Sequence, residues 1–354
     1  MEPIVTTIIP TYKRPNMLRR AIESALNQTF RNIRILVLDN ASNDETYDTV
    51  QKLAEKDSRV KYICHSQNIG AFNNFQFGLK LVDTSFFSIL SDDDLILPDF
   101  YNTALEGFYQ NPDACFFVTG VIHATPEGNI LGMPMLTKWK SGYFQPPTGL
   151  ITMLDCGHPE WTGVLFRKEI IRRIGFLDEE VGAAIDLDYL LRAAASTPYI
   201  VSLKPGAIYI VRPVSKNINI YPFKLFWPGL LNMISNLTRD TLLPINIKIY
   251  AANIISNTFK KQLFKLGLRY IYQNQFDDAL DIANCLSDFY GQIIRARILK
   301  HLISIKDILA LKAICKSMDF MGEIWLFRNK ILHTKLQKNI KLFEEYEICL
   351  KIHE

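Results

Sequence analysis

Over the first hundred residues, short apolar runs rich in β-branched side chains alternate with segments whose apolar positions recur at helical spacing. Val5 to Pro10 (VTTIIP) reads as a strand that ends in a proline–threonine turn. From Pro15 the apolar residues Met17, Leu18, Ala21, Ile22, Ala25 and Leu26 return at i, i+1, i+4, which predicts a helix with proline in its first turn. Ile33 to Leu38 is a second strand. The polar turn Asp39-Asn40-Ala41-Ser42-Asn43-Asp44 follows, and its Asn43 or Asp44 can cap a helix through about Lys56. A third strand, Val60 to Cys64, leads into Asn68-Ile69-Gly70 and a helix carrying Phe72, Phe75, Leu79 and Val82. The fourth strand is Phe86 to Leu90.

Repeated strand–helix units of this kind predict an α/β fold, a mainly parallel sheet flanked by helices. In such sheets ligands bind beyond the carboxyl ends of the strands. The polar residues of this half gather at those ends: Thr11, Tyr12 and Arg14 after the first strand, Asp39 after the second, Asn68 after the third and Ser91-Asp92-Asp93-Asp94 after the fourth.

From about Pro222 the pattern changes to long stretches of Leu, Ile, Phe and Lys with few glycines and no strand alternation. An α/β domain over residues 1–220 and a helical domain over 221–354 are therefore expected. Leu266, Gly267, Tyr270, Phe276, Ala279 and Ala283 resemble one tetratricopeptide-type hairpin, in which small residues let two helices approach closely. Ala313 stands 34 residues after Ala279 but little else repeats, so an array is not expected. Oligomerisation, acceptor binding and membrane contact all remain open as roles for this part.

At 48% hydrophobic and 21% charged residues, the chain has the composition of a globular protein rather than a disordered one. Charge is uneven: 21 Lys and Arg against 24 Asp and Glu give −3 over residues 1–219, whereas 19 against 12 give +7 over 220–354. A basic C-terminal part suits anionic lipid or a polyanionic acceptor, although a solvated basic excess on mixed-sign helices explains it equally well. Cys64, Cys115, Cys156, Cys285, Cys315 and Cys349 lie far apart, without CxxC or zinc spacing, and read as reduced, buried small hydrophobes. No window reaches the ~20 apolar residues of a spanning helix. The nearest segment, Phe223 to Leu237, reads first as a buried helix and second as one lying partly in a membrane surface. The amino terminus, MEPIVTTIIPTYKRP, lacks the basic and apolar regions of a secretory signal, so the expected location is the cytoplasm, with the inner face of the membrane as a possible contact. Nucleic acid is not an expected partner.

Three consecutive carboxylates after a buried strand repel one another unless a cation joins them. Hard oxygen ligands at Asp92, Asp93 and Asp94 suit Mg²⁺ or Mn²⁺ shared with a diphosphate. The plainer reading is acids decorating a helix N-terminus ahead of Leu95-Ile96-Leu97-Pro98. Asp39 can accept the ring N–H of a base and Tyr12 can stack it, or they form an Asx-turn and a half-buried packing ring. The two glycines of NIGAFNNFQFGL do not make GxGxxG, which argues against a dinucleotide-binding dehydrogenase. Farther on, Asp188 and Arg192 are spaced to pair across one helical turn, and Asp186 lies nearly opposite them, free to point into a cleft.

Taken in order, the segments at 8–29, 37–46, 68–79, 90–100 and 163–192 resemble a family-2 glycosyltransferase over roughly the first 215 residues. The resemblance implies a GT-A fold, a nucleotide-sugar donor, UDP by family frequency, and an inverting transfer to a glycan or lipid-linked acceptor, hexosyl or N-acetylhexosaminyl in class. By the same resemblance Thr11, Tyr12 and Asp39 would hold the base and ribose, with Pro10 shaping that turn. Asp92 would face the ribose and donor sugar, Asp93 would lead metal ligation with Asp94 completing a DXD-type cluster, and Asp186 would be the base. The setting it suggests is bacterial surface-polysaccharide or glycoconjugate assembly. Three departures stand out. Ile185 replaces the usual Glu before the base, which keeps Asp188 in play. Val214 replaces a metal-binding histidine, leaving Arg212 or Lys216 to meet the diphosphate. No QxxRW follows, which argues against a processive synthase. The first two departures also fit a sugar-nucleotide-binding or scaffold protein without turnover. A nucleotidyltransferase would need a glycine-rich phosphate loop, and PTYKRPN has none.

Overall fold

The computed structural model describes residues 2–211, 223–239, 242–288 and 291–305, which fall into two compact units, one ending at residue 211 and one beginning at 223. Arg212, Val214 and Lys216, and likewise Ala313, Cys315 and Cys349, lie outside the described residues.

In the first unit strands β1 (Val5–Thr11), β2 (Ile33–Asp39), β3 (Val60–Cys64) and β4 (Phe86–Ile89) alternate with helices α1 (Pro15–Leu26), α2 (Thr46–Ala54) and α3 (Ala71–Lys80). These match the expected elements to within a few residues. The chain continues through β5 (Leu95–Ile96), α4 (Phe100–Gln110), β6 (Phe116–Ala124), β7 (Ile130–Gly132), β8 (Gly142–Phe144) and α5 (Thr148–Cys156). It then adds β9 (Val164–Arg167), α6 (Glu169–Ile174), α7 (Ile185–Ser196) and β10 (Tyr199–Ile210).

All ten strands form one sheet, in the order β3-β2-β1-β4-β9-β6-β10-β5, with β7 on β6 and β8 on β10. Strands β1 to β4 are parallel, and β9 is antiparallel to both of its neighbours. Because β9 reverses direction twice over, β6 and β10 run the same way as β1 to β4, and the carboxyl ends of all six lie along one edge. The sheet is thus mixed rather than purely parallel.

Leu18, Ala21, Ile22 and Ala25 of α1 pack with Val5, Ile9, Ile35 and Val37 of the sheet in one buried cluster, as the helical spacing requires. On α3, a Cβ at Gly78 would stand 2.7 Å from the Ile8 and Leu38 side chains, so only glycine lets this helix lie so close to the sheet. That approach brings Asn74 and Phe75 to the sheet's carboxyl edge.

Two expectations change. Asp93 and Asp94 do not start a helix: Leu95–Ile96 pairs with Ala207 and Ile208 of β10, burying both apolar side chains, and α4 begins only at Phe100. Cys64 is exposed on the edge strand β3 and Cys156 is partly exposed, whereas Cys115 and Cys285 are buried as expected.

The second unit is helical throughout its described residues: α8 (Phe223–Arg239), α9 (Ile245–Tyr272), α10 (Phe276–Asp288) and α11 (Ile293–Ile305). Tyr270, Ala279, Ala283 and Leu299 share its core. A Cβ on Gly267 would meet Leu299 at 2.7 Å and Ile282 at 3.3 Å, which is the close helix contact the hairpin pattern called for. Among the described residues no helix is long and apolar enough to cross a membrane.

Candidate functional site

The register of β1 on β2 sets Thr11 beside Asp39, and that of β2 on β3 sets Asp39 beside Cys64, so the loops leave the sheet at one level. Between them opens a cavity of about 340 Å³, lined among others by Pro10, Thr11, Tyr12, Arg14, Asn40, Asn68, Asn74, Phe75, Asp92 and Asp93. Three non-glycine residues of the loops after β1 and β2 adopt positive φ: Lys13 (56°), Ala41 (60°) and Asn43 (53°). Such backbone is costly and persists where its surroundings impose it, commonly at ligand clamps.

Asp92 joins two of these loops. Its Oδ2 accepts from Thr11 Oγ1 at 2.7 Å and its Oδ1 from Arg14 Nη1 at 3.0 Å, while Arg14 also lies 3.6 Å from Asp93 Oδ2. Burial pushes the Asp92 carboxyl above its ordinary value, against the pull of Thr11 and Arg14. On the opposite wall Asn40 accepts from the Ile69 amide at 2.8 Å and donates to Asn68 Oδ1 at 3.0 Å, which in turn accepts from the Gly70 amide at 2.9 Å. Asn74 Nδ2 donates to the Leu38 carbonyl at 2.9 Å, and its Oδ1 accepts from His65 Nε2 at 3.0 Å. Both walls are thus braced through hydrogen-bonded polar side chains, with Tyr12, 40% exposed, at the mouth.

Asp39 does not itself line the cavity. It is 2% exposed, its Oδ1 accepts from Ser42 Oγ (2.5 Å) and the Ser42 amide (2.9 Å), and its Oδ2 accepts from Tyr62 Oη (2.6 Å). In place of the Asx-turn anticipated from sequence, Asp39 closes the loop three residues on, through Ser42, and so holds the Asn40 wall in place. Burial and the Asp39 charge push the Tyr62 phenol well up.

The three aspartates part company. A turn closed by the Asp94 amide on the Ser91 carbonyl (3.1 Å) sends Asp94 away from the cavity, where it is 1% exposed. Its Oδ2 accepts from Thr162 Oγ1 at 2.6 Å and its Oδ1 from the Ile210 amide at 2.9 Å. Burial raises its carboxyl to about 7. Among the described residues no three His, Cys, Asp or Glu side chains converge to hold a metal ion. Asp92 and Asp93 do line the cavity together, and a Mg²⁺ or Mn²⁺ ion binds through one or two carboxylates when a diphosphate supplies further oxygens. The residues present fit such an ion at Asp92 and Asp93 but not at Asp94.

The second acidic pair separates as well. Asp188 is 1% exposed and accepts from Arg192 Nε at 2.7 Å, the i, i+4 pair expected from the spacing. Arg192 also donates to the Ile174 and Phe176 carbonyls at 2.5 and 3.0 Å, latching α7 to the chain after α6. Asp186, partly exposed in the first turn of α7, accepts from the adjacent Leu187 amide at 2.8 Å. Burial pushes the Tyr209 phenol up, with the charges of Asp94, Asp93, Glu160 and Asp186 acting in the same direction. Asn40, Asn74, Tyr62 and Glu160 were not singled out as site residues by sequence reasoning. Only Asn40, beside Asp39, and Asn74, in the NNF stretch, carried a local signal.

Residues 6–175, just under half of the chain, match the family model described as Glycosyl transferase family 2. A GalNAc(5)-diNAcBac-PP-undecaprenol β-1,3-glucosyltransferase of Campylobacter jejuni is 36% identical over 106 residues, 29% of this chain and 34% of that protein. A UDP-Glc:α-D-GlcNAc-diphosphoundecaprenol β-1,3-glucosyltransferase of Escherichia coli is 30% identical over 138 residues, 36% of this chain and 53% of the relative. The chain therefore spans about a third to a half of the length of these relatives. Among solved structures, Staphylococcus aureus TarS 1–349 in complex with UDP superposes with a TM-score of 0.62 at 17% identity, covering 90% of this chain and 91% of that one. That likeness shows a shared fold.

Proposed function

Starting from the family-2 glycosyltransferase domain, of GT-A fold, that the first unit forms, we propose that it transfers a sugar from a UDP-linked donor to a hydroxyl of a lipid-linked sugar acceptor, with inversion. One observation carries this reading: Asp92 is tied to Thr11 and Arg14 across a cavity that Asp93 also lines, so the donor's nucleotide and its diphosphate have adjoining places. The UDP bound by TarS and the undecaprenol-linked substrates named for the two relatives support the choice of donor and acceptor classes.

In this reading Pro10, Thr11, Tyr12, Asn40 and Asn68 surround base and ribose, with Asp39 bracing their loop through Ser42. Arg14 meets the diphosphate. A Mn²⁺ or Mg²⁺ ion at Asp92 and Asp93, when bound, supplies positive charge against the diphosphate. Asp186 takes the proton from the acceptor hydroxyl as its oxygen bonds to the anomeric carbon. The bond from that carbon to the diphosphate oxygen breaks, and its electron pair leaves with the nucleoside diphosphate. The acceptor's lipid anchor would bring the reaction to the cytoplasmic membrane face, where the +7 of residues 220–354 favours anionic lipid.

The test is thermal stability against UDP, GDP, dTDP and CMP, each with and without Mn²⁺. A ligand that binds only the folded state stabilises it by RT ln(1 + [L]/Kd), so UDP with Mn²⁺ should give the clear shift. Absence of any nucleotide shift would sink the reading. Ile185, in place of a second acid beside Asp186, supports one other reading, a nucleotide-sugar-binding protein without turnover. Release of UDP from UDP-glucose in the presence of a lipid-linked GlcNAc acceptor would remove it.

A further inference from the structure

A second group of side chains sits on the same edge of the sheet as the cavity, but beyond its lining. His123 on β6 and Tyr209 on β10 are register partners near the carboxyl ends of two parallel strands, with ring centroids 5.2 Å apart. His123 Nε2 donates to Glu160 Oε1 at 2.7 Å, and both side chains are about one-fifth to one-quarter exposed. Tyr209 is 39% exposed, a large ring left open to solvent beside a buried strand.

Two bonds of Asp94 lock this group to the donor side. Its carboxylate accepts from Thr162, two residues after Glu160, and from the amide of Ile210, next to Tyr209. Asp93, its neighbour in sequence, lines the cavity. Trp161 packs at 5.9 Å on Phe75, another cavity residue. Trp161, next to Glu160, also packs edge-on at 6.2 Å against Tyr189, about one turn along α7 from Asp186.

We propose that Glu160, oriented by His123, is the second carboxylate that Ile185 does not supply, and that with the face of Tyr209 it binds the acceptor sugar beside Asp186. This rests on the transferase reading above. The chemistry specifies the acceptor: a pyranose whose apolar face stacks on Tyr209. One of its hydroxyls is presented to Asp186, and a hydroxyl next to it donates to Glu160. Glu160 acts on the acceptor directly. His123 is a positioning residue, whose Nε2–H fixes which Glu160 oxygen is left to accept.

The experiment uses the full chain, UDP-glucose as donor, and octyl-diphosphate-linked GlcNAc with its monodeoxy analogues as acceptors. Glu160→Gln should raise the acceptor KM about tenfold, the effect of one lost hydrogen bond to a charged group, while the donor KM and the UDP-induced thermal shift stay at wild-type values. One monodeoxy acceptor should cost wild type about the same factor and cost Glu160→Gln nothing further, since both changes remove the same bond. Tyr209→Ala should raise the acceptor KM, and Tyr209→Phe should not. His123→Ala should move acceptor KM in the direction of Glu160→Gln, with His123→Gln partly restoring it. Additive losses for every deoxy acceptor, or a raised donor KM in Glu160→Gln, would overturn the assignment. A wild-type chain that binds no nucleotide fails at the earlier step and takes both readings with it.

Discussion

Asp186 and Asp188 are two residues apart on one helix, and the structure gives them different surroundings. Asp188 is buried, and its partner Arg192 spends its other donors on the Ile174 and Phe176 carbonyls. Truncating Asp188 to alanine leaves a guanidinium that is 13% exposed without its counter-charge. Breaking a buried pair in this way costs about 3–5 kcal/mol, and the two surviving carbonyl bonds put this case near the lower end. At roughly 2–4 °C per kcal/mol for a domain of this size, Asp188→Ala should melt about 6–12 °C below wild type. Asp186→Asn should behave in the opposite way. The Asp186 side chain is partly exposed and its recorded bond is to the next amide, which asparagine also accepts, so stability should change by under about 0.5 kcal/mol. Removing the proposed base should lower transfer by about 10²- to 10⁴-fold while the UDP-induced shift persists. The assay pairs a thermal melt with UDP release measured well below the lowest melting point. Wild-type melting of Asp188→Ala together with lost turnover, or full turnover by Asp186→Asn, would refute the assignment and make Asp188 the base.

Three further outcomes follow from single residues. Asp93→Ala should lower turnover about 10²- to 10³-fold and make the UDP thermal shift insensitive to Mn²⁺, because it removes charge stabilisation of the leaving group; a shift that still responds to Mn²⁺ would count against a metal at Asp93. The Tyr101 hydroxyl lies 2.6 Å from Thr7 Oγ1 and 2.7 Å from Ser88 Oγ, and burial pushes its phenol up to about 12. Its folded value exceeds the unfolded 10.0, so its contribution is complete below pH 10 and is lost as pH rises through 12. The urea midpoint of wild type should therefore fall more between pH 9 and 11.5 than that of Tyr101→Phe, although the variant starts about 1 kcal/mol lower at pH 8. Gly267→Val should destabilise the helical unit by about 1–3 kcal/mol, since its first side-chain atom meets Leu299, and circular dichroism of the melt would register it.

Local signals account for what the sequence made legible. The strands and helices up to β4 follow from hydrophobic period alone, and the Asp39–Ser42 turn is contained within four residues. The i, i+4 spacing of Asp188 and Arg192 likewise needs only a helix. The pairing of His123 with Glu160 spans 37 residues and depends on which strands lie next to each other, and the hydrogen bond of Tyr62 to Asp39 depends on an edge strand's register. Neither leaves a trace in spacing. The burial of Asp188 was equally hidden, because a helical aspartate reads the same whether its face is covered or not.

The acidic triplet shows the same limit from the other side. Consecutive carboxylates suggest mutual repulsion that only a cation relieves, yet the turn at Ser91–Asp94 fans them apart. Asp92 is compensated by Thr11 and Arg14, Asp93 has Arg14 at 3.6 Å, and Asp94 has Thr162 and the Ile210 amide. Each is accommodated without a metal, so the case for an ion rests on the diphosphate's charge meeting Asp92 and Asp93, not on repulsion among three. Asp94→Asn separates the two arguments. An asparagine oxygen can still accept from Ile210 and its amide can donate to Thr162, so the fold should hold, and Mn²⁺ dependence of the UDP shift should match wild type. Loss of that dependence in a variant with a wild-type melt would mean that Asp94 reaches the ion after all, and that the turn observed here must reopen when the donor binds.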